Sequence, residues 1–220
     1  MTHQLTLLET TPLTPDTRLY VFTKPDNYSF EPGQATELAL DQDDWRDEAR
    51  PFTFTSDPAA DVLSFVIKSY PKRDGVTKRL ASLQPGDTVL VGEPWGAIQD
   101  KGPGVFIAGG AGITPFIGIL RHRMRQGEVS GSHLIFANKT RDDVILRPLW
   151  TAMDGLQSSF VLSDDDSGDR EGLLDSNMLD SLVDDWSQTF YLCGPPQMEE
   201  AVADVLKARD VPDDRIVREE

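Results

Sequence analysis

The sequence predicts two domains: an N-terminal antiparallel β-barrel over residues 1–101, and a C-terminal doubly wound α/β domain with a parallel sheet over residues 102–220. Three observations predict this. Up to about residue 100, short alternating segments are punctuated by Gly and Pro. From about residue 104, strand-like and helix-like segments alternate. Where the two patterns meet, residues 104–120 read GVFIAGGAGITPFIGIL, a short apolar run, a glycine cluster and a second apolar run.

In the first part, residues 4–10 alternate weakly and TRLYVFT at 17–23 alternates well. Residues 35–40, 52–56, 62–70 and 88–92 follow as strands. Pro25-Asp26-Asn27, 30–34 and Pro85-Gly86-Asp87 are turns, 41–49 is a polar connector, and 80–83 reads as a short helix. Trp95 is expected to pack in the core or between domains. Lys101-Gly102-Pro103-Gly104 is the natural boundary. Strands then follow at 105–108, 133–137, 159–162 and 189–193, with helices at 115–126, near 147–153, near 176–182 and at 197–209. Pro115 suits a first helical turn, where its missing N–H costs nothing. Arg121, His122, Arg123 and Arg125 suit the last turns. Residues 163–169 (SDDDSGD) form an acidic loop.

Composition excludes several function classes. The chain has 37 acids against 21 bases, a net charge of −16, and no run of 18 apolar residues. Such a surface repels nucleic acid and anionic membranes, and no membrane span is expected. The first residues lack the basic and apolar regions of a signal peptide, so a cytoplasmic location is expected. The excess of Asp suits either a high-salt habitat or an ordinary acidic protein. One cysteine, Cys193, excludes an internal disulfide or a cysteine-ligated iron–sulfur cluster within these residues. Three scattered histidines give no metal-ligand spacing.

A strand, a glycine turn and a helix start form an anion cradle, because small residues admit a phosphate to unpaired N–H groups. Two further motifs accompany it: Arg50-Pro51-Phe52-Thr53-Phe54-Thr55-Ser56, and Cys193-Gly194-Pro195-Pro196-Gln197-Met198. In this order and spacing the three resemble the ferredoxin–NADP reductase superfamily over nearly the whole chain.

The resemblance implies a flavin-binding barrel and a nicotinamide-nucleotide domain. It implies that Arg50 binds the flavin pyrophosphate, Phe52 packs on the ring and Thr53 lies near its N5. Phe and Thr stand where the family has Tyr and Ser. Ile67 and Lys68 fall on the strand whose backbone contacts the ring. Gly75, Val76 and Thr77 resemble the turn that takes the second phosphate, with Thr77 or Lys78 in the Ser position. Gly110, Gly112 and Thr114 match the nucleotide pyrophosphate loop. Cys193, Gly194, Pro195 and Met198 match the strand end that holds the nicotinamide, Cys193 with no nucleophilic role. Asp164 stands where NADP-selective relatives carry Arg, which favours NADH, against Lys139, Arg141 and Arg170 nearby. Glu219 aligns with a family acid near the flavin, and the aromatic that follows it in the family is absent.

The function so implied is a flavin-dependent NAD(P)H oxidoreductase. It uses FAD rather than FMN, accepts a hydride from NADH or NADPH, and passes electrons to a separate one-electron acceptor such as ferredoxin or flavodoxin. Thr53, Cys193 and Glu219 are the candidate reaction-site residues. The alternatives are a reductase subunit of a multicomponent oxygenase or other electron-transfer complex, and a non-catalytic flavin or nucleotide sensor.

Overall fold

A computed structural model describes residues 3–70, 72, 74–96, 98–165 and 170–219. Its first six strands are β1 (His3–Thr14), β2 (Thr17–Thr23), β3 (Ala35–Leu40), β4 (Arg50–Thr53), β5 (Val62–Lys68) and β6 (Thr88–Val91). They pair antiparallel in the order β4-β3-β6-β1-β2-β5. The end strands meet through a Phe54–Phe65 bridge and a Thr55 N–H donating to Ser64 O at 2.8 Å, which closes the barrel. Alternation along the strands sends Leu5, Leu7, Tyr20, Phe22, Leu38, Phe65, Val89 and Val91 inward. Phe54 fills the centre, stacked on Phe30 at 4.3 Å between ring centroids.

β4 is shorter than the expected 52–56 and starts earlier. After Thr53 the backbone turns from β3 towards β5 at a barrel corner, so the ladder with β3 ends there. The short helix also lies earlier than expected: α1 (Val76–Leu80) starts just after Gly75, because Val76 and Leu80, one turn apart, both enter the barrel core. Trp95 does not pack as expected. Its backbone bridges Ala35, at 2.6 and 2.8 Å, while its side chain stays outside, leaving the residue 46% exposed.

The second half comprises β7 (Gly104–Gly109), α2 (Thr114–Gln126), β8 (Ser132–Asn138), α3 (Arg147–Ala152), β9 (Leu156–Leu162) and β10 (Arg170–Glu171). It continues with α4 (Ser176–Asp180), β11 (Thr189–Cys193), α5 (Pro196–Ala208) and β12 (Ile216–Arg218). The sheet is wholly parallel, in the order β10-β9-β8-β7-β11-β12. β7 is buried throughout, as a central parallel strand covered on both faces should be. Phe106 and Ala108 face α2 and α3, and Val105 and Ile107 face α4 and α5. The two-residue β10 and three-residue β12 have too few residues for a sequence pattern; pairing to β9 and β11 defines them.

Helix α2 joins the halves. Pro115 lies in its first turn, and Gly127 ends it at φ 73°, the left-handed conformation that suits a helix C-terminus. Gly118 packs against the barrel: a β-carbon there would lie 3.0 Å from Phe54 O. Further along, Arg123 Nε donates to both oxygens of Asp100, at 3.0 and 2.8 Å. Arg125 pairs with Asp57 at 2.9 Å, and His122 Nδ1 lies 3.5 Å from the same carboxylate. The Tyr191 hydroxyl donates to Gly102 O and accepts from Lys101 N–H, both at 2.8 Å, which ties the connecting segment to β11. Among the described residues no helix is long and apolar enough to cross a membrane, and no group of three or more His, Cys, Asp or Glu could hold a metal ion.

Candidate functional site

Strand order reverses at β7, with β8 on one side and β11 on the other. In doubly wound sheets this reversal opens a crevice at the carboxyl ends of the strands. Two turns meet there. Residues 110–113 form a 3₁₀ turn between β7 and α2, and Gly194-Pro195 joins β11 to α5. They approach so closely that a β-carbon on Gly112 would lie 2.2 Å from Cys193 O, and one on Gly109 would lie 2.6 Å from Met198 Sδ. Gly110 differs. It adopts φ 52° and a β-carbon there would meet nothing within 4 Å, so its backbone faces open space. Helix α2 has no side-chain cap and no acid in its first turn. Thr114 begins it, half-buried. These features fit an anion held by helix N–H groups.

The open space is a cavity of about 480 Å³. Its lining includes Gly109, Gly110, Asn138, Pro195 and Met198 from the parallel-sheet half, and Asp16 and Lys68 from the barrel. Asn138 Nδ2 is buried there without a hydrogen-bond partner among the described residues. Asp143, also in the lining, accepts from Thr140 N–H at 3.1 Å and Thr140 Oγ1 at 2.8 Å. Sequence reasoning missed Asp16, Asn138 and Asp143. Asn138 alone carried a signal, its place at the carboxyl end of a parallel strand next to the central one.

Cys193 ends β11, half-buried with a free thiol. Burial, with Glu219 and Glu199 beside it, pushes that thiol strongly up, so it stays protonated and is a poor nucleophile. Glu199 Oε1 accepts the Gly194 N–H at 2.6 Å, which fixes the turn. Glu219 follows β12 at the surface; desolvation of its carboxyl and the charge of Glu199 raise its proton affinity. Both acids line a second cavity of about 670 Å³ with Lys207 and Arg218. It is larger than the first, but the glycine cradle opens into the smaller one.

On the barrel, Arg50 is exposed and held by Ala49 O at 2.6 Å and Glu48 at 3.0 Å. Phe52 is half-buried and Thr53 buried, opposite Thr36 and Ala35 of β3. Ile67 and Val76 turn their side chains into the barrel core, so only their backbones are open to a ligand. Gly75 precedes α1 with no side-chain cap, a β-carbon there would meet nothing within 4 Å, and Thr77 is half-buried. An uncapped helix start beside open space and a half-buried aromatic fit a flavin's phosphate and ring respectively.

The structure therefore brings Lys68, Gly110, Pro195 and Met198 to one cavity, with Gly112 and Cys193 in the turns beneath it. Arg50, Gly75, Val76 and Thr77 are not in its lining. Asp164 lies exposed just beyond β9, where its carboxylate accepts from Ser163 Oγ at 2.9 Å and its N–H donates to Lys139 O at 2.9 Å. Residues 166–169 of the acidic loop lie outside the described residues.

Residues 4–99 match the Oxidoreductase FAD-binding domain and residues 106–204 the Oxidoreductase NAD-binding domain. The chain is 27% identical over 209 residues to the propane 2-monooxygenase reductase component of Mycolicibacterium goodii, spanning 88% of this chain and 59% of that relative. The chain thus spans little more than half the length of such relatives. It is 30% identical over 220 residues to NADH-cytochrome b5 reductase 1 of Aspergillus terreus, covering 89% of this chain and 74% of the relative. A ferredoxin NADP+ reductase from Neisseria gonorrhoeae, solved with bound FAD and NADP, shares the fold. The TM-score is 0.84 at 20% identity, over 99% of this chain and 98% of the other.

Proposed function

Because the chain belongs to the ferredoxin–NADP reductase superfamily of flavoprotein oxidoreductases, we propose that it oxidises NAD(P)H and delivers the electrons to a separate acceptor. The observation that carries this reading is a cavity lined from both halves. Lys68 reaches it from the FAD-binding barrel, and the glycine cradle and the turn after Cys193 reach it from the NAD-binding half. FAD, when bound, supplies the acceptor for a hydride and releases electrons one at a time. The chain's own part is to place two rings together and keep water from between them.

In this reading residues 1–101 hold FAD and residues 102–220 hold the nucleotide. Arg50 and the N–H groups at Gly75–Thr77 bind the flavin phosphates, and Phe52 packs on the ring. The backbone of Ile67 and Lys68 borders it. Gly110, Gly112 and Thr114 hold the nucleotide pyrophosphate. Gly194, Pro195 and Met198 shape the nicotinamide end. Thr53 Oγ1 offers a proton for a hydrogen bond, Cys193 Sγ stays protonated beside the hydride path, and desolvation and Glu199 raise the proton affinity of the Glu219 carboxyl. Asp164 accepts a ribose hydroxyl and repels a 2′-phosphate, so NADH is preferred to NADPH.

A second, narrower reading is a reductase component for an oxygenase. The similarity to the propane 2-monooxygenase reductase component favours it. With one cysteine in 220 residues, any cysteine-ligated iron–sulfur centre on the electron path lies outside them.

The test is the absorption spectrum of the purified protein, then separate anaerobic titrations with NADH and NADPH. A flavin spectrum that bleaches stoichiometrically is expected. A protein that binds flavin but is not reduced by either nucleotide would overturn the reading in favour of a sensor.

A further inference from the structure

The side chains of Asp16 and Lys68 form an ion pair in the cleft, and the binding scheme above uses Lys68 only through its backbone and its place in the cavity wall. Asp16 lies in the two-residue connection between β1 and β2, and Lys68 ends β5. Lys68 Nζ is 2.9 Å from Asp16 Oδ2. The other oxygen, Oδ1, accepts from the hydroxyls of Thr14 at 3.2 Å and Thr17 at 3.1 Å. The backbone is fixed as well, since Asp16 O accepts the Ser69 N–H at 2.7 Å. The turn therefore pins the carboxylate, while Lys68 rides on a flexible four-carbon stem. Burial opposes the charge on Asp16, but Lys68 and the two hydroxyls outweigh it and hold the carboxyl below its usual range.

Both residues line the cavity that Gly109, Gly110, Pro195 and Met198 also line. An anionic dinucleotide entering it meets a lysine already neutralised and a carboxylate that cannot withdraw. We propose that Asp16 is a positioning residue that sets nucleotide affinity and selectivity through Lys68. It parks the ammonium at the cavity wall, and the nucleotide recruits that ammonium only by breaking the pair. The inference rests on the reading of this cavity as the NAD(P)H site. Because Asp16 keeps its charge when Lys68 leaves, it disfavours most the ligand with most negative charge. NADPH is thus discriminated against from the barrel, independently of Asp164 on the other half.

The experiment titrates NAD+ and NADP+ into the purified holoprotein by calorimetry at one ionic strength. The proteins are wild type, Asp16→Asn, Lys68→Met and the double variant. Asp16→Asn is expected to bind NAD+ about two- to fivefold more tightly, the scale of a partly exposed ion pair. NADP+ is expected to gain more. Both gains should vanish in the Lys68→Met background, the signature of coupling between neighbours. Unchanged or weaker binding by Asp16→Asn overturns the proposal. So does an equal gain without Lys68, which would assign the effect to bare charge. Asn keeps the hydrogen bonds to Thr14 and Thr17; should it not fold, Asp16→Ser, a residue suited to turns, makes the same comparison. Wild type that binds neither nucleotide would instead overturn the site reading itself, and the proposal with it.

Discussion

Replacing Gly112 with Ala tests how closely the two turns of the crevice must meet. The added β-carbon would lie 2.2 Å from Cys193 O, 2.5 Å from its carbonyl carbon and 2.7 Å from Gly194 Cα. All three are backbone atoms at the end of a buried parallel strand, so no side chain can swing away. Ordinary contact begins near 3.4 Å, so the turns must part by more than 1 Å. Overpacking of this kind costs about 3 kcal/mol, which for a chain of this length lowers Tm by about 6–12 °C. Gly110→Ala is the control. Its β-carbon meets nothing within 4 Å, and only its φ of 52° is strained. That strain costs about 1 kcal/mol, a few degrees. Thermal melts of the two variants, with NAD+ titrations, make the comparison. Gly112→Ala should melt well below Gly110→Ala and bind NAD+ at least about tenfold more weakly, since a 1 Å displacement is costly to a positioned ligand. A Gly112→Ala protein that melts and binds like wild type would refute the close approach of the turns.

Three further outcomes are expected. Asp100→Ala leaves the Arg123 guanidinium, whose side chain is 6% exposed, without its carboxylate; it should cost about 3 kcal/mol, read by urea denaturation, and a loss under 1 kcal/mol would contradict it. The melting temperature should fall with acidification. Burial holds His133 below 6.5, so unfolding takes up a proton and stability is lost as the pH drops through that value. Asp16 and Asp57 titrate below 3.8 when folded, and their contributions persist above that value and disappear as the pH falls further. A flat profile between pH 7 and 3 would contradict both, and His133→Gln should flatten only the upper part. Asp164→Ser should raise the ratio of kcat/KM for NADPH over NADH about tenfold, or ~1.4 kcal/mol; a wild type that already prefers NADPH tenfold would remove the basis for it.

The fold was legible where burial and period act together. β2 and β3 have the expected limits, and β11 does too, because apolar alternation or a continuous buried run leaves little choice of register. It was not legible where tertiary pairing decides. β4 changes partner at a barrel corner, β12 exists because β11 pairs with it, and Trp95 holds the barrel by its backbone while the residue stays partly exposed. In the site, the glycine cradle was legible because close backbone approach excludes every other residue. Asp16 was not, because one aspartate among 26 carries no signal until the turn sets it beside Lys68.

Helix α2 explains why the cradle and the barrel keep a fixed relation. Its first turn follows directly on the 110–113 turn beside the cavity, a β-carbon on Gly118 would lie 3.0 Å from Phe54 O, and its last turns reach Asp57 and Asp100. One element thus carries the glycine cradle at one end and contacts to the barrel at the other. Phe54 passes the contact on, since it bridges to Phe65 of β5, whose last residue is Lys68. The two docking ion pairs differ in exposure. Arg125, with 55% of its side chain in solvent, is open to screening by salt, while Arg123, at 6%, is not. Salt should therefore loosen the Asp57 contact and leave the Asp100 contact intact. The cradle should keep its place against Lys68 even where salt alters nucleotide affinity through Lys68 itself.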